Sequence, residues 1–275
     1  MPSKILIPTD LSPESNSVLP WGVTVAQAFD SKLYLLHVMH PSSVNEPERL
    51  EDFPHLSRLF AADRDAADLP PLKASVPVAK MYMYHKDASK VILDTAKGKG
   101  IELICLAATN DGVNLAWWSA GRTIERIVKD APCSVLCLRG RPSKEKDWKR
   151  PRFRHVLLLA ELSPHGISPV AKLMPWIERF NSMLHIFPLT SSNFKETGEQ
   201  SALRELCQLD AVRTNVLLFS KPQNRIQNLL NFISETPIDL IVMTPRTRAA
   251  FSNRLITDIF VRLLRVTPSP ILLLR

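Results

Sequence analysis

The chain has 275 residues and a formal net charge of +8, with 45% hydrophobic and 23% charged residues, the balance of a globular chain and not of a disordered or fibrous one. It holds only 8 glycines beside 22 prolines, where average usage of about 7% would give roughly nineteen. Glycine supplies the positive φ and close backbone approach that phosphate-wrapping loops need, and none lies beyond Gly198, which excludes a glycine-rich phosphate cradle near the C-terminus.

In chain order, Ile5–Pro8 reads as a short apolar strand. Ser12 then supplies an N-cap and Pro13 the first position of a helix expected to run to about Asp30. The apolar strand Leu33–Val38 follows, then a polar loop, a helix expected near Phe53–Asp68 and an alternating strand around Val76–Tyr84. Ala88–Ala96 has helical spacing, with Gly98 and Gly100 ending it. Ile101–Ala107 is a nearly continuous apolar strand, Thr123–Lys129 belongs to a helix, and Val135–Leu138 is a further strand. The remainder repeats this order, with strands expected near 154–160, 184–188, 213–219, 239–243 and 270–274 and helices between them. Strands apolar on both faces imply a parallel sheet covered by helices on both sides.

The similarity between the two parts reaches individual residues. KILIPTDLSP at 4–13 aligns with HVLLLAELSP at 155–164, an offset of 151 that also pairs FDSKL (29–33) with FNSML (180–184). IELI at 101–104 matches IDLI at 238–241, and APCSVL at 131–136 matches TPSPIL at 267–272. Two copies of one domain are therefore expected, at 1–139 and 153–275, joined by a basic linker at 140–152. Both are read as doubly wound α/β domains.

The charge is concentrated at that junction. Between Arg139 and Arg154 eight cations face two acids, which accounts for six of the eight net charges. The segment also holds Gly140, Pro142 and Pro151, so a solvated linker is the first reading and nucleic-acid association the third-ranked one. No run approaches the roughly 18 apolar residues of a membrane span. The apolar stretch at the N-terminus is too short for a secretory h-region, and a cytoplasmic location without a membrane partner is expected. The four cysteines, Cys105, Cys133, Cys137 and Cys207, read as buried reduced thiols, because the C-x₃-C pair has no second Cys/His pair to complete a zinc site. Of the seven histidines, His37 and His185 lie in strand-like runs and read as satisfied core residues, while the others lack metal spacing. No nucleophile-elbow, P-loop or dinucleotide fingerprint is present, so neither a catalytic residue nor a metal is expected.

In doubly wound sheets ligands bind at the carboxyl ends of the strands, where the strand order reverses. The positions to inspect are Pro8, Thr9 and Asp10 after the first strand, Val38 in the second, and the segment from Ala107 to Thr123 after the fourth. With ILIPTDLSP, LYLLHV (33–38), IELICL (101–106) and APCSVL (131–136), the chain resembles the universal stress protein family in its tandem, two-copy form. The resemblance implies two universal-stress-protein-like, adenine nucleotide alpha hydrolase-like domains that form an intramolecular pseudo-dimer, with a homodimer and an unidentified protein partner as further expectations.

Nucleotide-binding members of that family carry G-x₂-G-x₉-G-[S/T] after the fourth strand, whose amides and hydroxyl hold phosphates at a helix start. Carried onto this chain, the aspartate that holds ribose is Asp10 and the base-contacting residue is Val38. The loop departs from the pattern: Ala107 and Asn110 stand at the first two glycine positions, Gly121 fits the third, and Arg122 takes the hydroxyl position with Thr123 one residue late. Either Arg122 supplies a charge-assisted phosphate contact and ATP is kept, or the loop has relaxed into a non-binding surface with Trp117 and Trp118 covering apolar area. The second copy has Thr244, Thr247, Thr257 and Asp258 at these positions, with Ala160 and Glu161 after its first strand. An aspartate at the phosphate hydroxyl position repels the anion. Arg246 and Arg248 read as part of a solvated loop. The favoured function is a stress-response regulatory or interaction protein without a cofactor; the alternative is an ATP-binding stress protein that uses the first copy alone.

Overall fold

The structure is a computed structural model, and it describes residues 1–41, 53, 56–59, 75–108, 120–140, 148–160, 168–188, 214–216, 225–244 and 253–275. Among these, the elements are β1 (Lys4–Thr9), α1 (Pro13–Asn16), α2 (Leu19–Phe29), β2 (Lys32–Met39), a single 3₁₀ turn (Leu56–Arg58), β3 (Val78–Tyr84), α3 (Ala88–Lys99), β4 (Leu103–Ala108), α4 (Ala120–Asp130) and β5 (Ser134–Arg139). They continue with β6 (His155–Ala160), α5 (Ser168–Phe180), β7 (Met183–Pro188), β8 (Thr214–Val216), α6 (Arg225–Glu235), β9 (Leu240–Met243), α7 (Asn253–Val266) and β10 (Ile271–Leu273). No helix among the described residues is long and apolar enough to cross a membrane.

The chain forms two compact units. The first comprises Met1–Pro151, Arg246–Pro268 and Arg275. Its strands run parallel in the order β3-β2-β1-β4-β5, so the order reverses between β1 and β4. Ile5, Leu6 and Ile7 on β1 and Leu103, Ile104 and Cys105 on β4 are all fully buried. Consecutive buried residues mean that both faces are covered, which is why these strands read as continuous apolar runs. Helix α7 packs against α4 and β5 in this unit. Arg275 ties in here too: its backbone N–H donates to Ser134 Oγ at 3.1 Å, and its guanidinium donates to Val128 O at 2.6 Å and Lys129 O at 3.2 Å, carbonyls of the last turn of α4.

The second unit comprises Arg152–Pro245 and Ser269–Leu274. Its parallel order, β10-β9-β6-β7-β8, again places the first strand between the second and the fourth. Phe153, Trp176 and Phe180 are buried together beside it, with the Phe153 and Phe180 rings 4.4 Å apart. Two doubly wound parallel-sheet domains are thus present.

The shared F-[D/N]-S motif has a physical reason. Helix α2 ends at Phe29 with Asp30 in the left-handed region (φ 55), and α5 ends at Phe180 with Asn181 there as well (φ 49). Short polar side chains tolerate that conformation best after glycine. The serine that follows is buried in each unit, and its hydroxyl donates to a backbone carbonyl just ahead of the first strand, Pro2 for Ser31 and Phe153 for Ser182.

Three local expectations change. The single helix from Pro13 to Asp30 is two helices, because Pro20 lacks the N–H that would reach Asn16 O and instead lies in the first turn of α2. Gly98 lies inside α3, and Gly100 alone, at φ 62, ends it. Of the helix expected at 53–68, the described part is the 3₁₀ turn at Leu56–Arg58; the rest lies outside the described residues.

Candidate functional site

Strands β1 and β4 are adjacent and parallel, so their carboxyl ends share the edge at which the strand order reverses. Thr9, fully buried, organises the turn that leaves β1. Its Oγ1 accepts from Leu11 N–H at 2.9 Å and donates to Asn16 Oδ1 at 2.8 Å. Leu11 sits at φ 67, a conformation a leucine rarely takes, and the Thr9 hydroxyl helps hold it there. Asn16 returns a bond, Nδ2 donating to Leu11 O at 3.0 Å. The Thr9 carbonyl faces Nδ1 of the buried His37 at 2.9 Å, joining the ends of β1 and β2.

Asp10 is half-buried at this edge. Its Oδ1 accepts both the Ser12 N–H at 3.0 Å and the Ser12 hydroxyl at 2.6 Å, while Ser12 Oγ caps α1 by accepting from Ser15 N–H at 3.1 Å. Asp–x–Ser is thus a closed capping relay. Pro8 lies within β1, opposite Leu36. Val38 lies within β2, opposite Met83, and is fully buried.

Ala107 is half-buried near the end of β4, paired with Leu138. The ladder between β4 and β5 extends one residue further, with Gly140 N–H donating to Ala108 O at 2.7 Å. Gly121, Arg122 and Thr123 fall in the first turn of α4, so the helix that follows β4 starts with these residues. Thr123 is half-buried; the side chain of Arg122 and the whole of Asn110 lie outside what is described. Of the counterparts in the second copy, Thr244 directly follows β9 and Ala160 ends β6, both in the second unit, whereas Thr257 and Asp258 belong to α7, which falls in the first. Glu161, Arg246, Thr247 and Arg248 lie outside the described residues, as do Trp117, Trp118 and Cys207.

The remaining chemistry-bearing side chains behave as core or surface. Cys105, Cys133 and Cys137 are free and buried, and burial pushes their thiols up, that of Cys133 to about 12. Such thiols are poor nucleophiles at neutral pH. No three of the described His, Cys, Asp and Glu residues gather as a metal site would require. One feature was not legible from the sequence: His185, read as a satisfied core histidine, has a buried Nδ1 without a hydrogen-bond partner among the described residues. Its other ring nitrogen faces a second histidine, a pairing that needs the β6/β7 register to be seen.

The profile of the Universal stress protein family matches residues 1–139. Among curated proteins there is no match. Among solved structures, a universal stress protein from Archaeoglobus fulgidus superposes with a TM-score of 0.64 at 16% identity, covering 99% of this chain and 96% of its own. A putative universal stress protein from Pseudomonas aeruginosa gives 0.64 at 16%, with 99% and 93% covered. At these identities the structural likeness speaks for the fold. With its β1 turn, its reversed strand order and the match across its first 139 residues, the chain belongs to the universal stress protein family.

Proposed function

We propose that this protein is a regulatory or interaction protein of the tandem universal stress type, without catalytic activity, whose nucleotide loops have degenerated. The carrying observation is the commitment of Asp10. The carboxylate that the family resemblance assigns to ribose accepts two bonds from Ser12 on one oxygen and serves as part of the α1 cap. Ala107 and Asn110 in place of two loop glycines support the same reading, since a Cβ at such positions narrows the backbone approach to phosphate. The apolar side chains exposed on the edge strand β3, Met83 at 40% and Tyr84 at 63%, are the surface this reading offers to a protein partner.

The second reading is ATP binding by the first unit alone. It is favoured by one observation: Gly121, Arg122 and Thr123 occupy the first turn of α4, where unpaired amides and the helix dipole attract an anion. Calorimetric titration of the full chain with ATP separates the two. No saturable heat up to millimolar ATP is expected. Micromolar binding that Asp10→Ala abolishes overturns the nucleotide-free reading in favour of the second.

A further inference from the structure

His155 and His185 are diagonal neighbours on one face of the second unit's sheet, because His155 pairs with Met183 and His185 with Leu157. Their rings stack at 5.4 Å with planes 23° apart, and His155 Nδ1 lies 3.1 Å from His185 Nε2. His185 is 4% exposed, its Nδ1 has no partner among the described residues, and the Phe232 ring of α6 lies 5.4 Å from the His185 ring, centre to centre. The offset of 151 relates these positions to Lys4 and Tyr34. There, in the first unit, the ammonium groups of Lys32 and Lys99 lie 5.2 and 5.6 Å from the Tyr34 ring. The place where two ammonium groups flank an aromatic ring in one copy holds a pair of imidazoles in the other.

We propose that the His155–His185 pair is an acid-sensitive fastening between α6 and the sheet of the second unit, one that loosens as the buried imidazole is forced to take a proton. Between the two rings there is room for one N–H, which one imidazole donates and the other accepts. A proton gained on the outer nitrogen of His155 leaves that bond in place. A proton gained by His185 makes both of its ring nitrogens donors: Nε2–H can still reach the neutral Nδ1 of His155, but the other N–H has no acceptor among the described residues, and once both rings are charged two N–H groups compete for the one contact. Burial, and then the neighbouring charge of His155, lower its affinity for that proton.

Among the described residues around His185, no hydrogen-bond acceptor reaches its Nδ1. From β6 comes His155, and from α6 the Phe232 ring; Asn215 is the register partner on β8. The carboxylate of Asp239, ahead of β9, accepts the backbone N–H of His155 at 2.9 Å. Folding therefore opposes the uptake of one proton that the unfolded chain accepts near the ordinary value of 6.5. The sign follows: the unfolded state holds more protons below that value, so stability is full above it and falls as pH drops. The limiting slope is about ten-fold in the folded-to-unfolded ratio per pH unit, the value for one proton.

The test uses the full chain. Chemical denaturation from pH 7.5 to 5.0 is compared for the unaltered protein and for His185→Phe, which fills the same space and cannot take a proton. Amide exchange of α6, corrected for the intrinsic rate, is followed at both ends of the range. The expected result is a loss of stability and of α6 protection on acidification that the variant largely lacks. Equal losses in both proteins overturn the proposal. Should the variant not fold, the ring resonances of His185 in the unaltered protein decide. A midpoint well below 6.5 accompanied by shifts in α6 upholds the proposal, and an ordinary midpoint with α6 unmoved overturns it.

Discussion

Thr9 and Asn16, seven residues apart and both buried, are joined side chain to side chain, the Thr9 hydroxyl donating to Asn16 Oδ1 at 2.8 Å. The same hydroxyl oxygen accepts the Leu11 N–H. Thr9→Val keeps the shape and removes these two bonds together with the 3.0 Å contact to Ser15 Oγ, leaving a buried amide oxygen and a backbone N–H at a strained residue. Each such orphan costs about 1–3 kcal/mol. A loss of about 2 kcal/mol or more in denaturant-induced unfolding is expected, whereas Thr9→Ser, which retains the hydroxyl, should lose less than about half of that. Equal losses for the two variants would show that the methyl group and not the hydroxyl matters.

The carboxylate of Asp87 does three things at the start of α3. It caps Lys90 N–H at 3.0 Å, accepts the Ser89 hydroxyl at 2.6 Å and pairs with the Arg126 guanidinium of α4 at 2.6 Å. The Ser89 hydrogen bond, with those from Lys90 and Arg126, outweighs burial and holds the carboxyl at about 2, below its ordinary 3.8. A carboxyl depressed by folding stabilises the protein above its unfolded value, and that contribution is lost as pH falls from about 4 toward 2. Asp87 and Arg126 are 39% and 45% exposed, so the pair itself contributes at most about 1 kcal/mol and weakens with salt. Asp87→Asn, which can still cap, should cost less than about 1 kcal/mol at pH 7 and lose less on going to pH 3. Asp87→Ala should cost roughly 1 kcal/mol more than the asparagine variant at pH 7. Parallel stability–pH curves for the asparagine variant and the unaltered protein would contradict this account.

Those capping bonds connect to how much of the molecule its sequence discloses. Strands such as Ile5–Pro8 and Leu33–Val38 are legible because burial on both faces leaves an uninterrupted apolar run. The break at Pro20 is not anticipated there: Ser12 and Pro13 mark one helix start, and the helix expected from them runs on to about Asp30. What the repeat cannot disclose is tertiary placement. It relates α7 to α4 as copies, whereas the fold packs them against each other. At the candidate site, Asp10 is legible as a residue but its commitment to Ser12 is not, because the same Asp–x–Ser spacing serves a turn or a ligand equally well. The histidine pair escapes for a related reason: each ring looks like an ordinary core residue until the register of β6 on β7 sets them diagonally.

Helix α2 approaches β1 closely at Gly22. A Cβ added at Gly22 would lie 2.3 Å from Ile7 Cδ1 and 3.1 Å from Ile7 Cγ1, with Cys105 Cβ at 3.8 Å. Ile7 is fully buried, so its terminal methyl has little room to turn away. Replacing a helical glycine by alanine ordinarily gains up to about 1 kcal/mol, whereas overpacking a core costs about 1–3 kcal/mol. The second effect should win, and Gly22→Ala is expected to destabilise. Ile7→Val deletes Cδ1 at a cost of about 0.5–1.5 kcal/mol and opens the space the new methyl needs. In that background Gly22→Ala should become neutral or stabilising, giving a coupling of about 1 kcal/mol or more between residues in contact. The double-mutant cycle is read from urea unfolding of the four proteins. An identical cost for Gly22→Ala in both backgrounds would place the constraint elsewhere than at the Ile7 methyl.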